Sequence, residues 1–270
     1  MDVLSNLRMG KPGMTRWVVR RRNLLLLISA ALLLGGWEAL IWLFNLPAYI
    51  LPGPGRVWQS FVTALADGSL LPNAATTLVE VLAGLLLGAC LATGLGYLLA
   101  KSPVVETLLA PYLVASQAIP IVAVAPLLII WFGPGMFSKV LICALIVFFP
   151  VLVNTAVGLR AVPENLRDLM RSLRASRRQI LIYLEVPAAL PVFLGGLRIG
   201  ATLSVIGAVV GEFVGANQGL GFLINTARAR YDTSLVFVAV FTLVAMALAL
   251  YGVVTGIESR ALAWSRKEED

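Results

Sequence analysis

Six stretches of this sequence are each long and apolar enough to cross a lipid bilayer, and that feature constrains the fold more than any other. They run approximately Leu24 to Phe44, Thr76 to Ala100, Thr107 to Ile130, Phe137 to Leu159, Val192 to Val214 and Ser234 to Ile257. A helix rising about 1.5 Å per residue needs roughly 20 apolar residues to bridge about 30 Å of hydrocarbon. The expectation is an all-α integral membrane protein with six transmembrane helices, its membrane domain spanning residues 24–257 between tails at 1–23 and 258–270. The first stretch begins too far in for a cleaved leader, and no small-residue cleavage site follows it.

Composition agrees. Of 270 residues, 59% are hydrophobic and 13% charged, against about 25% charged in soluble domains. That excludes an ordinary soluble enzyme. Histidine is absent, which removes a His-bearing triad and an HExxH zinc site. No GxxxxGK[ST] loop occurs, so any ATP that drives this protein is hydrolysed on another chain. Cys90 and Cys143 lie in apolar runs and behave as small hydrophobes.

The net charge of +7 has its explanation in orientation rather than in nucleic acid. The N-terminal tail, Lys101, the loop after the fourth stretch and the C-terminal tail together hold sixteen Lys and Arg. The opposite face is expected to hold four, namely Arg56, Lys139, Arg228 and Arg230. Both termini are therefore expected on the cytoplasmic side.

Between the first two spans, Pro47, Pro52, Gly53, Pro54 and Gly55 break any helix. A short amphipathic helix follows, with Val57, Trp58, Phe61, Val62 and Leu65 on one face. Small residues recur every four positions at Gly84, Gly88, Ala92 and Gly96, at Gly196, Gly200, Ser204 and Ala208, and at Gly207, Gly211 and Gly215. Such ladders let helix backbones approach closely in lipid, and two of them in the fifth span imply packing on more than one side.

The segment 160–191 is the most unusual part of the chain. From Pro163 to Ile182 it is helical by pattern, with Leu166, Leu169, Met170, Leu173 and Ile180 on one stripe and Arg167, Arg171, Arg174 and Arg178 on another. Charge alone would make it a solvated loop that obeys the orientation rule. The apolar stripe, with Pro187 and Pro191 beyond it, suits an element that packs against a partner.

The segment resembles the EAA loop of binding-protein-dependent ABC importer permeases. Asp168, Leu169 and Met170 stand where the pattern has Glu-Ala-Ala, and Arg174 where it has glycine. Ala175 and Ser176 follow, then Val186 to Pro191 and Gly196, Leu197 and Arg198. Gln117 to Pro120, Ala125 to Leu127, Trp131 to Gly133, Gly211 to Gly215, Gly219 to Gly221 and Leu51 to Pro54 are similar to the nitrate, sulfonate and taurine permease group, above all to its members for pyrimidine-type vitamin precursors or riboflavin. The resemblance implies a type I ABC importer permease fold and a homodimer of permeases embedded in lipid. It also implies two ATPase subunits that bind the ATP and an extracytoplasmic substrate-binding protein, with no cofactor on this chain and no nucleic acid. On it the coupling residues are Asp168, Arg171, Ser172, Arg174, Ala175, Ser176, Arg177, Pro187 and Pro191.

Polar residues inside the spans are the candidates for a pathway, since charge in hydrocarbon costs several kcal/mol (about 3 or more) unless it meets water or a partner. These are Glu80, Gln117, Asn154 and Glu212. Glu212 reads as a gate or binding-protein contact or as a packing residue. Glu80 reads as a pathway group or as an interfacial carboxylate bonded to Thr76 or Thr77. Glu38, between Trp37 and Trp42, belongs with the aromatic belt. A secondary transporter or channel is the alternative class, but it would show repeats or intramembrane ion carriers. A membrane enzyme is disfavoured by the missing histidine and the lack of paired carboxylates.

Overall fold

The computed structural model describes residues 12–262, and every described element is helical. The tail basics at positions 8, 11, 266 and 267 lie outside the described residues. In chain order the helices are α1 (Pro12–Phe44), α2 (Pro54–Ala66), α3 (Leu70–Lys101), α4 (Pro103–Gln117), α5 (Ile121–Phe132) and α6 (Met136–Arg160). After them come α7 (Glu164–Ser172), α8 (Arg177–Ile180), α9 (Val186–Gly215), α10 (Leu220–Ala229) and α11 (Thr233–Ala261). Among the described residues, α3, α6, α9 with its preceding turns, and α11 are each long and apolar enough to span a membrane.

The third predicted span, Thr107 to Ile130, is not one helix. It breaks into α4 and α5, which meet at 96°. Pro120 explains the break, because proline has no N–H to give the preceding turn and pushes the residue before it out of helical geometry. Counted as one broken span, the pair brings the number to five. α1 covers the first predicted span, and its described apolar portion, Ala31–Phe44, is shorter than a full crossing. α2 forms where the turn-rich loop predicts it, with Pro54 in its first turn.

α6 sits at the centre because the glycine ladders on both neighbours face it. A Cβ on Gly84 would overlap that of Cys143, and Gly88 abuts the Ala144 backbone. From the other side, Gly200 meets Val147, Gly207 meets the Cys143 backbone and Gly211 meets Lys139. The glycines of both ladders from Gly196 to Gly211 thus look onto α6, while Gly215 meets Ile129 of α5. The second packed side of α9 is supplied instead by Ala201, Val205 and Ala208, which join Val81, Leu223, Val238 and Leu243 in the largest apolar core. Dispersion between closely packed backbones holds such contacts where no hydrophobic drive acts.

Candidate functional site: the 160–191 loop and the buried cluster at the opposite end

The loop helix predicted from Pro163 to Ile182 is interrupted, and the interruption is well defined. α7 ends at Ser172, and Arg174 takes a left-handed φ of 56°. The Arg174 N–H donates to the Arg171 carbonyl (2.9 Å), and the Ala175 N–H donates to the Met170 carbonyl (3.0 Å). This is the Schellman pair of bonds that closes a helix, in which the left-handed position is most often glycine. Ser176 then caps α8. Its hydroxyl accepts from the Gln179 N–H, while the Gln179 side chain accepts from the Ser176 N–H at 2.7 Å.

Between α8 and α9 the backbone widens into a π turn at Leu181–Glu185, and the Val186 N–H reaches back to the Leu181 carbonyl. Pro187, with no N–H of its own, opens the first turn of α9, and Pro191 lies one turn further on. The two prolines therefore belong to the base of the span rather than to the loop tip. Residues Arg177–Gly215 form one helical run, so α8 is continuous with the span that follows it.

The loop is riveted at its base. Glu185 is 1% exposed and lies between Lys101 of α3 and Arg167 of α7, whose Nε is 3.2 Å away. Arg167 also donates to the Leu159 carbonyl (2.7 Å), and Arg160 bonds Glu106 (2.7 Å) and the Leu99 carbonyl (2.8 Å). Nothing in the pattern of the loop singled out Glu185. Its only signal was an acid within an apolar stretch, next to the start of the following span. On the outer side of α7, Asp168 pairs with Arg171 (2.8 Å), which also reaches Glu164 (3.0 Å). The Arg167 guanidinium donating to Glu164 holds that carboxyl below the usual glutamate range, and Asp168 beside Arg171 holds the guanidinium charged. Leu166, Leu169 and Leu173 remain exposed along the same helix. Beside them a cavity of about 620 Å³ is lined by Lys101, Arg167, Arg171, Arg177, Glu164 and Glu185.

The pathway candidates separate. Gln117 ends α4 at the 118–120 break and is exposed. Asn154 donates to the Pro150 carbonyl (2.7 Å) and packs against Gly196, which places it in the α6–α9 contact. Glu80 and Glu212 come together, both buried, with Thr77 and Lys139. Lys139, expected among the cations of the face opposite the loop, is only 5% exposed, with Nζ 3.3 Å from Glu80. It sits in the first turns of α6, where an ammonium inside the bundle needs an acid for company.

Glu80 therefore pairs with Lys139 and not with Thr76 or Thr77, and paired carboxylates, absent from the sequence reading, are present in the fold. Thr77 donates instead to Glu212 (2.6 Å). Glu212 also accepts from the Gly221 N–H, Thr77 accepts from the Leu220 N–H (2.8 Å), and Asn73 accepts from the Gly219 N–H (2.7 Å). Three of the N–H groups that open α10, those of Gly219, Leu220 and Gly221, are thus capped from α3 and α9. Gly219, at φ 119°, is required there, since a Cβ would run into the Glu212 carboxylate. Glu212 is enclosed rather than presented at the surface. Glu38 lines a separate cavity of about 600 Å³ with Arg56 and Gln59, and Trp37 stacks on Phe237 at 5.5 Å.

Residues 84–262, from the α3 ladder to the end of α11, match the model of binding-protein-dependent transport system inner membrane components. The chain belongs to that family. It is accordingly the membrane-embedded permease subunit of an ABC importer and contributes the translocation pathway. The riboflavin transport system permease protein RibX of Chloroflexus aurantiacus is 48% identical over 235 residues, 87% of each chain. The formylaminopyrimidine transport permease protein ThiX of Halalkalibacterium halodurans is 35% identical over 232 residues, 86% of this chain and 92% of its own. The fold is shared with the permease of the inward-facing MetNI methionine ABC transporter, at a TM-score of 0.64 and 17% identity over 73% of this chain and 97% of that one.

Proposed function

We propose that two copies of this permease, each with six spans and both termini on the side of the 160–191 loop, carry a flat nitrogen heterocycle handed over by a binding protein. We infer that each loop seats on a separate ATPase. The observation that carries the coupling role is the α7–α8 hairpin. Its turn at Arg174 falls where the family pattern has glycine, its base is tied down through Glu185, and its leucine stripe is left without a partner. An element anchored on one side and apolar on the other suits a groove in a second protein, where Arg177 and the exposed Arg171, beyond its pairs with Asp168 and Glu164, can supply charge-assisted bonds.

The dimer reading is supported by the α4–α5 break. Non-helical backbone at membrane depth is tolerated only where protein covers it or water reaches it. Residues 117–120 are exposed in the single chain, so a second copy and the path between the copies are the natural cover. The heterocycle reading is supported by the names of the relatives, riboflavin and formylaminopyrimidine.

The test is ATP-driven uptake in proteoliposomes holding the permease, its neighbouring ATPase and binding protein. Arg171→Glu places an acid beside Glu164 and Asp168, and it should abolish ATPase co-purification or uncouple hydrolysis from uptake. Normal uptake by that variant would defeat the docking role, and uptake without the ATPase would favour a secondary transporter. A binding protein that prefers sulfonates or taurine to riboflavin and pyrimidines would overturn the substrate class.

A further inference from the structure

The buried cluster at the end of the bundle opposite the loop has a charge imbalance that the transport reading does not use. Glu80 of α3 is wholly inaccessible, Glu212 of α9 is 1% exposed, and Lys139 of α6 is 5% exposed. Three ionisable groups of unequal sign, two acids and one base, therefore share one enclosed space. The two acids are brought together by shared neighbours: Glu212 accepts from Thr77, which lies one turn before Glu80 on α3, and Lys139, whose Nζ is 3.3 Å from Glu80, packs against Gly211 beside Glu212. The thiol of Cys143 is the other titratable neighbour, on α6, and α10 contributes only backbone N–H groups to the cluster.

The hydrogen bonds within the cluster are unevenly divided. Glu212 has a donor at each oxygen, Thr77 at 2.6 Å and the Gly221 N–H. Neither oxygen of Glu80 meets hydrogen-bond geometry with any donor, although Lys139 Nζ lies 3.3 Å from one of them. A buried carboxylate beside another negative group is strongly destabilising, because it leaves a charge inside the protein without compensation. One ammonium offsets one carboxylate. The second needs a positive charge that no side chain supplies.

We infer that the cluster is a one-proton binding site, in which Glu80 and Glu212 share a single proton and the group with Lys139 is neutral. The proton gives Glu80 the hydrogen bond it otherwise lacks, because a carboxyl O–H donates where a carboxylate only accepts. Glu212 stays free to accept from Thr77 and Gly221, so the start of α10 is held to α3 and α9. The site binds a proton and requires no metal.

Carboxyl absorption by infrared spectroscopy on the full-length permease in lipid nanodiscs reads the proton directly, since a protonated buried carboxyl absorbs apart from ionised surface acids. Neutrality predicts one such band in the wild type at neutral pH and none in either Glu80→Gln or Glu212→Gln, where Lys139 pairs with the remaining acid. Lys139→Gln should show two, and Glu80→Gln combined with Lys139→Gln should show one. The two single glutamine variants are nearly isosteric and test the site independently, so failure of one to fold leaves the other as the readout. Absence of the band from the wild type, its survival in both single glutamine variants, or a band count unchanged by Lys139→Gln would overturn the proposal. So would a wild type with no band whose stability depends on sodium or potassium, because a cation would then hold the proton's place.

Discussion

Arg174 carries a penalty that its neighbours have no need of. A non-glycine residue in the left-handed region costs about 1 kcal/mol or more, and the Schellman closure of α7 leaves no other conformation at that position. Arg174→Gly should therefore close the turn more firmly, and Arg174→Val, branched at Cβ, should loosen it. Protease cleavage of the loop in nanodiscs measures the open fraction. About 1 kcal/mol corresponds to roughly fivefold slower cleavage for the glycine variant. If uptake nevertheless falls in that variant, the arginine head group serves the ATPase. Glu185 gives the opposite case. Glu185→Gln removes the acid between Lys101 and Arg167, and because both cations retain some contact with water and Arg167 keeps Glu164, the loss should be about 1–2 kcal/mol rather than the full value for a buried pair. Faster cleavage of the loop, with the spans still folded, is the expected result. Cleavage at the wild-type rate would mean that Glu185 does not anchor the loop.

At the scale of elements, the close approach of α3 to α6 is the contact on which the bundle depends. Gly84→Ala puts a methyl group into the Cys143 side chain, 3.0 Å from the Val140 carbonyl, and backbone cannot yield as a flexible side chain can. A loss of about 1–2 kcal/mol is expected from overpacking. Gly94→Ala on the same helix meets nothing within 4 Å and should stabilise by up to about 1 kcal/mol through helix propensity. Opposite shifts of the melting temperature in detergent would confirm the facing of the ladder, and equal shifts would refute it. The existence of these helices, the ladders and the loop were legible in the sequence because each follows from a local period or from composition. The break at 118–120 was legible only as Pro120, since periodicity runs straight through it. Lys139 and the joining of Glu80 to Glu212 were not legible at all. They depend on three spans meeting in space, and a lysine one turn into a helix has the same local signature whether it faces water or an acid. Arg174 was visible as a departure from a glycine pattern, but the backbone bonds that fix its turn are tertiary detail.

At the scale of the whole molecule, the outer faces are unequal. α11 presents Val244, Leu248 and Val253 to its surroundings, a run suited to lipid tails. α4 and α5 also present large apolar groups, Tyr112, Ile119, Val122 and Trp131 among them, but with the interrupted backbone of 118–120 in their midst. Lipid can cover the first surface and not the second, because hydrocarbon offers nothing to the free backbone groups of the break. The two faces should therefore differ in their access to water. In a Cys90→Ser background, with Cys143 buried and unreactive, Gln117→Cys should react with a charged maleimide and form a cross-link between copies under oxidation. Leu248→Cys should do neither. Labelling should also change when ATP is supplied with the ATPase present, because a path that opens and closes alters water access at its lining while a lipid-facing helix stays dry. Equal labelling at both positions, or labelling at Leu248→Cys alone, would assign the break to lipid and remove the argument that a second copy and the substrate path cover it.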